Sequence, residues 1–388
     1  MRVLVILSRI PYPLEKGDKL RAYEQLKILA EHYEIHLVCL HHGNKIDQRT
    51  KVALSKVCHH YQLIKLNRWA CYLNLVASVF RNQPLQVGYF YNQQAHRQIE
   101  ELIVANKIEH IYCQLIRTTE YVKKLGINKT LDYMDALSKG MYRRYKKSRL
   151  LLKPIYYYEY GRLKSYETSV FNHFNNHTII TATDKSAIEH PNNHQIKVIP
   201  NGVNAANYKA YQHVSKKTDL VFAGNMQYPP NIDAAIFLAH EIMPIVWQKL
   251  PDAKLTIAGA TPTKKVMNLQ HSRIHVTGWV EDMLEVYAQS KVFVAPMRLG
   301  SGLQNKLLEA MSMKLPCITT PLANQPLKAE NNSEVMIGKD AQEFAEHIIA
   351  VLQNDVLANS LAEQGHAFIK KNYNWQQSTQ VLMECFSS

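Results

Sequence analysis

The stretch Met297–Thr320, MRLGSGLQNKLLEAMSMKLPCITT, decides how this chain is read. It runs as a glycine-containing loop, a helix predicted from about Leu303 to Met313, and a short apolar strand predicted over Leu315–Thr320. Gly300 and Gly302 let the backbone bend and approach a ligand closely. Leu303, Leu307, Ala310 and Met311 fall on one helical face, which is expected to pack inward. The first turn of such a helix presents unpaired N–H groups and a positive dipole end, an arrangement that suits a phosphate. Lys306 lies one turn in and adds a full charge. Glu309 lies one turn further, within reach of hydroxyls on a ligand that begins at the helix start. Two glycines alone are equally the turn of an ordinary βαβ unit. Asn305-Lys306 and Glu309 are what move the reading towards a nucleotide.

Working outward, apolar strand patterns and helical patterns alternate along the whole chain. Strands are predicted at Val3–Leu7, Ile35–Leu40, Tyr61–Leu66, Ile108–Gln114, Thr130–Tyr133, Thr178–Thr183 and Ile196–Ile199. The pattern restarts with Leu220–Ala223, Lys254–Gly259, Ile274–Val276 and Val292–Ala295. Helices are predicted over Lys19–His32, Tyr89–Ala105 and Ile232–Leu250. Alternation of this kind predicts parallel α/β sheets, and 388 residues are enough for two cores. The loop SRIPYPLEKGDKLR follows the first strand. Its prolines hold it extended, and Gly17-Asp18 precedes a helix with Leu20, Tyr23, Leu26, Ile28 and Leu29 on its core face. In a doubly wound sheet this loop lies at the carboxyl ends of the strands, where ligands bind. A capped helix start accounts for it equally, and no GxGxxG is present. Asp132 and Asp135 end a predicted strand in LDYMDALS and are also suited to capping the next helix. Asn201-Gly202 is expected to make a tight turn with positive φ.

Composition narrows the classes. Hydrophobic residues make up 46%, as in a globular protein, and the apolar runs are too short to span a bilayer. MRVLVILSRIPYP is read as a first strand, because its apolar run is shorter than a secretory signal requires. Six cysteines without a CxxC pair are expected to be reduced and mostly buried, as in the cytoplasm. No Cys, His and carboxylate spacing marks a metal, so none is expected. A net charge of +14 calls for an anionic partner. No nucleic-acid motif is visible. Nine cations lie between Lys139 and Lys164 (Lys139, Arg143, Arg144, Lys146, Lys147, Arg149, Lys153, Arg162 and Lys164), against Glu159 alone and interleaved with Tyr and Leu. That composition predicts a broken helix that meets an anionic membrane surface.

With these residues in view, the Met297–Thr320 stretch resembles the nucleotide-sugar signature of glycosyltransferase family 4, and bacterial members tied to exopolysaccharide and exosortase (PEP-CTERM) clusters in particular. The family pattern is E-x7-E followed by AMAxGxPVxxT. Glu309 matches the second glutamate, which in the family holds the ribose hydroxyls. The first falls on Ser301, and Lys314 replaces the usual glycine. The resemblance implies a GT-B fold, two Rossmann-like parallel-sheet domains facing a cleft, with a C-terminal helix crossing back to the first. An acceptor domain would span 1–204 with about 372–388, and a donor domain 205–371. It implies donor contacts from Asn225 (where the family often has arginine), Gly278, Trp279, Val280, Arg298, Gly300, Ser301, Gly302, Leu303, Asn305, Lys306 and Glu309. Trp279 by itself reads first as a buried anchor, and Arg298 reads equally as a surface arginine. The resemblance further implies an acceptor or phosphate loop at Gly17, Asp18, Lys19 and Arg21, and catalytic roles for Asp135, Lys306 and Glu309.

The implied activity is transfer, with retention, from a nucleotide diphosphate sugar to a glycan or lipid-linked acceptor in cell-surface polysaccharide synthesis. No metal or other cofactor is required, because Lys306 and the helix start can stabilise the departing diphosphate. Two other readings fit the same features: a nucleotide-sugar 2-epimerase, which would need no acceptor, and a non-catalytic sugar-nucleotide or membrane-binding partner. The chain is expected in the cytoplasm, at the inner face of the membrane.

Overall fold

A computed structural model describes residues 1–14, 16–43, 46–300 and 302–387. The chain divides into two compact units, Met1–Pro200 with Gln376–Ser388, and Asn201–Trp375. Each is built on one all-parallel sheet with helical crossovers, as the alternating pattern requires.

The first unit's strands are β1 (Arg2–Leu7), β2 (Glu34–His41), β3 (His60–Lys65), β4 (His110–Gln114), β5 (Asn128–Asp132), β6 (Asn176–Ile179) and β7 (Lys197–Val198). They lie in the order β3-β2-β1-β4-β5-β6-β7. β1 is continuously apolar because both faces are covered: Leu4 and Ile6 join one core cluster, and Val3, Val5 and Leu7 another. The second cluster includes Leu382, Met383, Cys385 and Phe386, so the chain's last helix returns to the first unit's sheet. All six cysteines are free and buried.

The second unit repeats the topology. Its strands are β8 (Thr218–Ala223), β9 (Leu255–Ala258), β10 (Ile274–Gly278), β11 (Ser290–Ala295), β12 (Cys317–Thr319) and β13 (Met336–Ile337), ordered β10-β9-β8-β11-β12-β13. In both sheets the order reverses once, between β1 and β4 and between β8 and β11. Loops diverge there at the carboxyl ends of the strands, which opens a crevice for ligands.

Several local expectations change for physical reasons. The helix predicted over Tyr89–Ala105 is two, Leu85–Phe90 and Gln93–Ala105, because Asn92 caps the second by accepting from Ala95 N. The helix over Ile232–Leu250 instead starts at Pro229 and passes through a π turn at Leu238–Ile242. Pro244, two residues beyond, has no N–H to continue regular pairing. Thr181 caps the helix Ala182–Lys185 by accepting from Asp184 N. Asp18 does not cap the first helix, which starts at Gly17 with Lys16 at its cap and no side-chain bond there. Neither Asp132 nor Asp135 caps Leu137–Lys147. Gly202 has no positive φ. A Cβ there would lie 2.4 Å from the Trp375 backbone nitrogen, so close packing explains the glycine.

Candidate functional site

In the second unit, two glycines make the crevice at the sheet's reversal possible. Gly224 ends β8 with φ +155°, and a Cβ there would come within 2.6 Å of Asn231 Nδ2 and 3.0 Å of Lys306 Nζ. Gly259 ends β9 with φ +137°, and its Cβ would lie 1.9 Å from the Gly224 carbonyl oxygen. A side chain at Gly224 would therefore crowd Asn231 and Lys306, and one at Gly259 would displace the Gly224 backbone itself.

Lys306 stands in the first turn of the helix Asn305–Ser312, whose Leu307, Leu308, Ala310 and Met311 are buried. Its ammonium donates to Asn231 Oδ1, lies 3.8 Å from Met297 Sδ, and sits 4.8 Å from the centre of the Phe222 ring. Among the described residues, no carboxylate pairs with it directly. Burial pushes its pKa down to about 7, and Glu309 opposes that shift. Glu309, one turn on, accepts a 3.2 Å hydrogen bond from the buried Tyr287 hydroxyl. Burial raises its carboxyl to about 7, against that hydrogen bond and Lys306. A lysine whose pKa is lowered and a glutamate whose pKa is raised, on one helix face at the end of a parallel sheet, are poised for a ligand that supplies both negative charge and hydroxyls.

The remaining donor calls separate. Asn305 begins the helix and accepts from Asn201 Nδ2 at 3.0 Å. Gly300 adopts φ +94°, which accounts for a glycine there, and Gln304 Nε2 closes the loop on the Gly302 carbonyl at 2.9 Å. Leu303 packs on the core. Ser301 lies outside the described residues. Asn225 accepts from Gln227 N at 2.9 Å and Thr261 Oγ1 at 3.2 Å, so its side-chain oxygen shapes its own loop. Arg298 is drawn away from the helix start by Asp233 (3.0 Å) and Glu241 (3.4 Å) and lies over the Phe237 ring. The ion-pair reading of Arg298 therefore replaces the diphosphate one. Gly278 has φ +69° and leads into Trp279 and the half-buried Val280. Trp279 is 64% exposed, which overturns its reading as a buried anchor and leaves an indole face open beside the strand ends.

In the first unit, the loop after β1 is organised by ion pairs. Arg9 Nη1 donates to Asp18 at 2.7 Å. Gly17 and Lys19 flank Asp18 in the first turn. Arg21 does not line a loop. It is fully buried and donates to Asp132 Oδ2 at 2.6 Å and to the Ile199 carbonyl at 2.9 Å. Its place on the inner helix face makes it structural. Asp135 follows Met134, whose φ of +61° is strained for a non-glycine residue. Dehydration, Asp184 and Asp132 raise the Asp135 carboxyl to about 6. Asp135 is thus placed as a titratable group at the carboxyl end of β5.

Among the described residues, one set of side chains brings three metal-capable atoms within 4.8 Å: Glu34, His36 and His60. Sequence spacing did not reveal it because sheet pairing assembles it, His36 lying opposite His60. Glu34 is already held by Arg2 at 3.2 Å. The set lies at the starts of β2 and β3, the ends away from the crevice. Four residues at the second-unit site also escaped sequence reasoning: Gly224, Asn231, Gly259 and Tyr287. The paired AG dipeptides ending β8 and β9 were the available signal for the glycines. Nothing local marked Asn231 or Tyr287.

Comparison with known proteins adds to this geometry. Residues 217–354 match the family model described as Glycosyl transferases group 1. An uncharacterized 44.6 kDa protein in the cps region of Klebsiella pneumoniae is 23% identical, over 96% of each chain. Among solved structures, sucrose-phosphate synthase from Thermosynechococcus elongatus superposes with TM-score 0.70 at 12% identity, covering 100% of this chain and 98% of that one. HepE of Anabaena, solved in complex with UDP, gives 0.69 at 13% identity over the whole of both chains, and has also been solved with UDP-glucose. The fold is GT-B, two Rossmann-like domains with parallel sheets. With the glycosyltransferase group 1 match in its second unit, the chain is a glycosyltransferase.

Proposed function

We propose that the protein moves a sugar, with retention of configuration, from a nucleotide diphosphate sugar to a glycan or lipid-linked acceptor in cell-surface polysaccharide synthesis, working at the inner face of the cell membrane. The observation that carries this is the Lys306–Glu309 pair on the helix Asn305–Ser312, set against the glycine-opened ends of β8 and β9. In this reading the helix start and Lys306 take the diphosphate. Glu309 takes the ribose hydroxyls with the lone pairs that Tyr287 leaves over, and Trp279 stacks beside the base. UDP-sugars are the first donors to try, because HepE binds UDP and UDP-glucose, and the cps-region relative fits an exopolysaccharide product. The bond from the anomeric carbon to the diphosphate breaks, and one from an acceptor oxygen forms on the same face as that hydroxyl loses its proton. Asp135 is the first-unit candidate for receiving it.

Glu309→Ala is expected to weaken UDP-sugar binding by roughly 1.5–3 kcal/mol, the range for hydrogen bonds to a charged group. In calorimetry, a 2′-deoxyribose donor is expected to bind the wild type poorly and to lose little more in the variant. Additive losses would mean that Glu309 does not touch the ribose.

Donor binding is also expected to be metal-independent, since the cation at the diphosphate is the lysine itself. UDP titrations with and without EDTA are expected to give the same affinity within about twofold, a difference of only ~0.4 kcal/mol. Loss of binding in EDTA would reassign the diphosphate to a metal.

A further inference from the structure

The helix Arg68–Phe80 is inverted for a helix in water. It buries Cys71 and Ser78, and the half-buried Asn74 donates to the Tyr91 carbonyl at 2.6 Å. This small, polar side is pressed so close to Leu85–Phe90 that a Cβ on Gly88 would lie 1.7 Å from Ser78 Oγ. The large apolar side chains face outward. Trp69 is 80% exposed, Tyr72 55%, Leu73 72%, Val76 60% and Phe80 84%. At 3.6 residues per turn these five share one stripe along 13 residues, about 20 Å of helix. A water-facing helix ordinarily shows the reverse arrangement, and a contiguous apolar stripe of this kind marks an interaction surface.

A second exposed apolar group lies close by in the same unit. The helix Lys153–Phe171 abuts the end of the first: Tyr158 Oη donates to the Val79 carbonyl at 3.4 Å, and Arg162 Nη2 to the same carbonyl at 3.2 Å. Just before and within the first turns of that helix stand Leu150 (81% exposed), Leu151 (90%), Ile155 and Tyr157.

The charge around both groups is of one sign. Arg68 and Arg81 are exposed at the two ends of the Arg68–Phe80 helix, and Lys146 and Arg149 are exposed beside Leu150. No acidic residue occurs between Asp47 and Glu100, or between Asp135 and Glu159. Glu159 itself is buried and accepts from Leu85 N and Gln86 N. Other cations of the basic segment already have partners: Lys139 is held by Asp184, Lys164 by Glu189 in a surface ion pair, and Arg162 by backbone carbonyls. The basic segment therefore offers its 143–153 end, not its whole length, to a partner. At the start of the Arg68–Phe80 helix, His42, Lys65, Asn67, Arg68 and Trp69 border a cavity of about 570 Å³. Among the described residues, no helix is long and apolar enough to cross a membrane.

We propose that this face of the first unit docks in the plane of an anionic lipid bilayer, with the Trp69–Phe80 stripe and Leu150–Ile155 inserted among the acyl chains and the flanking cations at the headgroups. Indole and phenol rings prefer that boundary, and arginine and lysine gain from an anionic surface. The charge argues for lipid over a second copy of this chain, because two copies meeting here would bring like-charged rims together.

The test is flotation of the full chain with phosphatidylglycerol-containing and pure phosphatidylcholine vesicles at low and moderate salt, with Trp69 emission recorded alongside. Binding to the anionic vesicles with a blue shift that vanishes in Trp69→Phe is expected. Leu73→Glu/Phe80→Glu is expected to lower partitioning at least about tenfold at either salt, and Lys146→Gln/Arg149→Gln chiefly at low salt, where their charges are least screened. All these sites are exposed, so unchanged melting temperatures will show that the variants fold. Three results would overturn the proposal: no binding at low salt, binding untouched by Leu73→Glu/Phe80→Glu, or a dimer in sedimentation velocity that the same double variant dissolves.

Discussion

Lys306→Met is expected to lower kcat/KM for the donor by about 100- to 1,000-fold, the loss of roughly 3–4 kcal/mol that follows removal of one preorganised charge-stabilising group. Lys306 has no carboxylate in direct contact, and its amide partner Asn231 offers a dipole only. The charge is therefore offset only by Glu309 without direct contact, and the departing diphosphate is where negative charge grows. A purely structural lysine would behave in the opposite way. Methionine keeps the stem's volume among Met297, Phe222 and the β8 end and removes a dehydration cost. The fold is expected to be as stable as before or more so. Loss of activity with an unchanged or raised melting temperature assigns the group to the reaction. Loss of both together would assign it to the fold.

The same pair sets a pH dependence. Lys306 titrates near 7 in the free protein, depressed by burial. A bound diphosphate favours the charged form, so binding above pH 7 must take up a proton, and affinity falls up to about tenfold per pH unit there. Glu309 is raised to about 7 by burial. Ribose hydroxyls favour its carboxylate, so affinity rises as pH approaches 7 from below. Donor affinity is expected to peak near neutrality. Lys306→Met removes the alkaline limb and Glu309→Gln the acid limb, which calorimetry across pH 5.5–8.5 can separate.

How far the sequence carried this reading depends on range. Elements specified by short periodic runs were legible: β1 is uniformly apolar because both its faces are covered, and the loop-helix-strand at Met297–Thr320 carries glycine, charge and periodicity within one segment. The chemistry around Lys306 was less so. Asn231 and Gly224 meet Lys306, Tyr287 meets Glu309 and Gly259 packs on Gly224, and their spacing in the chain holds no trace of that meeting. Arg21 was misplaced because a cation beside a ligand loop and a cation on the inner helix face look alike until Asp132 is known to lie opposite. Arg298 failed for a related reason, since Asp233 and Glu241 lie more than fifty residues away. The Arg68–Phe80 helix shows the limit most clearly. Its apolar residues recur at helical spacing, but periodicity alone does not say which side faces the protein.

Breaking the Arg21–Asp132 pair is expected to destabilise the first unit by about 3–5 kcal/mol, the cost of leaving one buried charge without its partner. Both side chains are fully excluded from solvent at 2.6 Å. The pair is tied into its surroundings on every side. Tyr112 Oη lies 3.0 Å from Asp132 Oδ2 and 2.9 Å from Gln25 Oε1, Met134 N donates to Asp132 Oδ1, and Arg21 reaches the Ile199 carbonyl. One network thus joins the first helix, β4, β5 and the segment after β7. Asp132→Asn keeps the shape and leaves the guanidinium uncompensated. Arg21→Met leaves the carboxylate so. Each is expected to lower the melting temperature by roughly 6–20 °C, at 2–4 °C per kcal/mol for a unit of this size. The double variant Arg21→Met/Asp132→Leu removes both charges and is expected to cost clearly less than the two single changes added, with a coupling of about 1–3 kcal/mol. Additive losses would show that the two charges do not depend on each other. The consequence reaches the site as well. Asp132 Oδ1 holds the Met134 N–H, and that strained residue sets the direction of Asp135. Asp132→Asn, assayed well below its melting temperature, is therefore expected to lower kcat while leaving UDP affinity in the second unit unchanged.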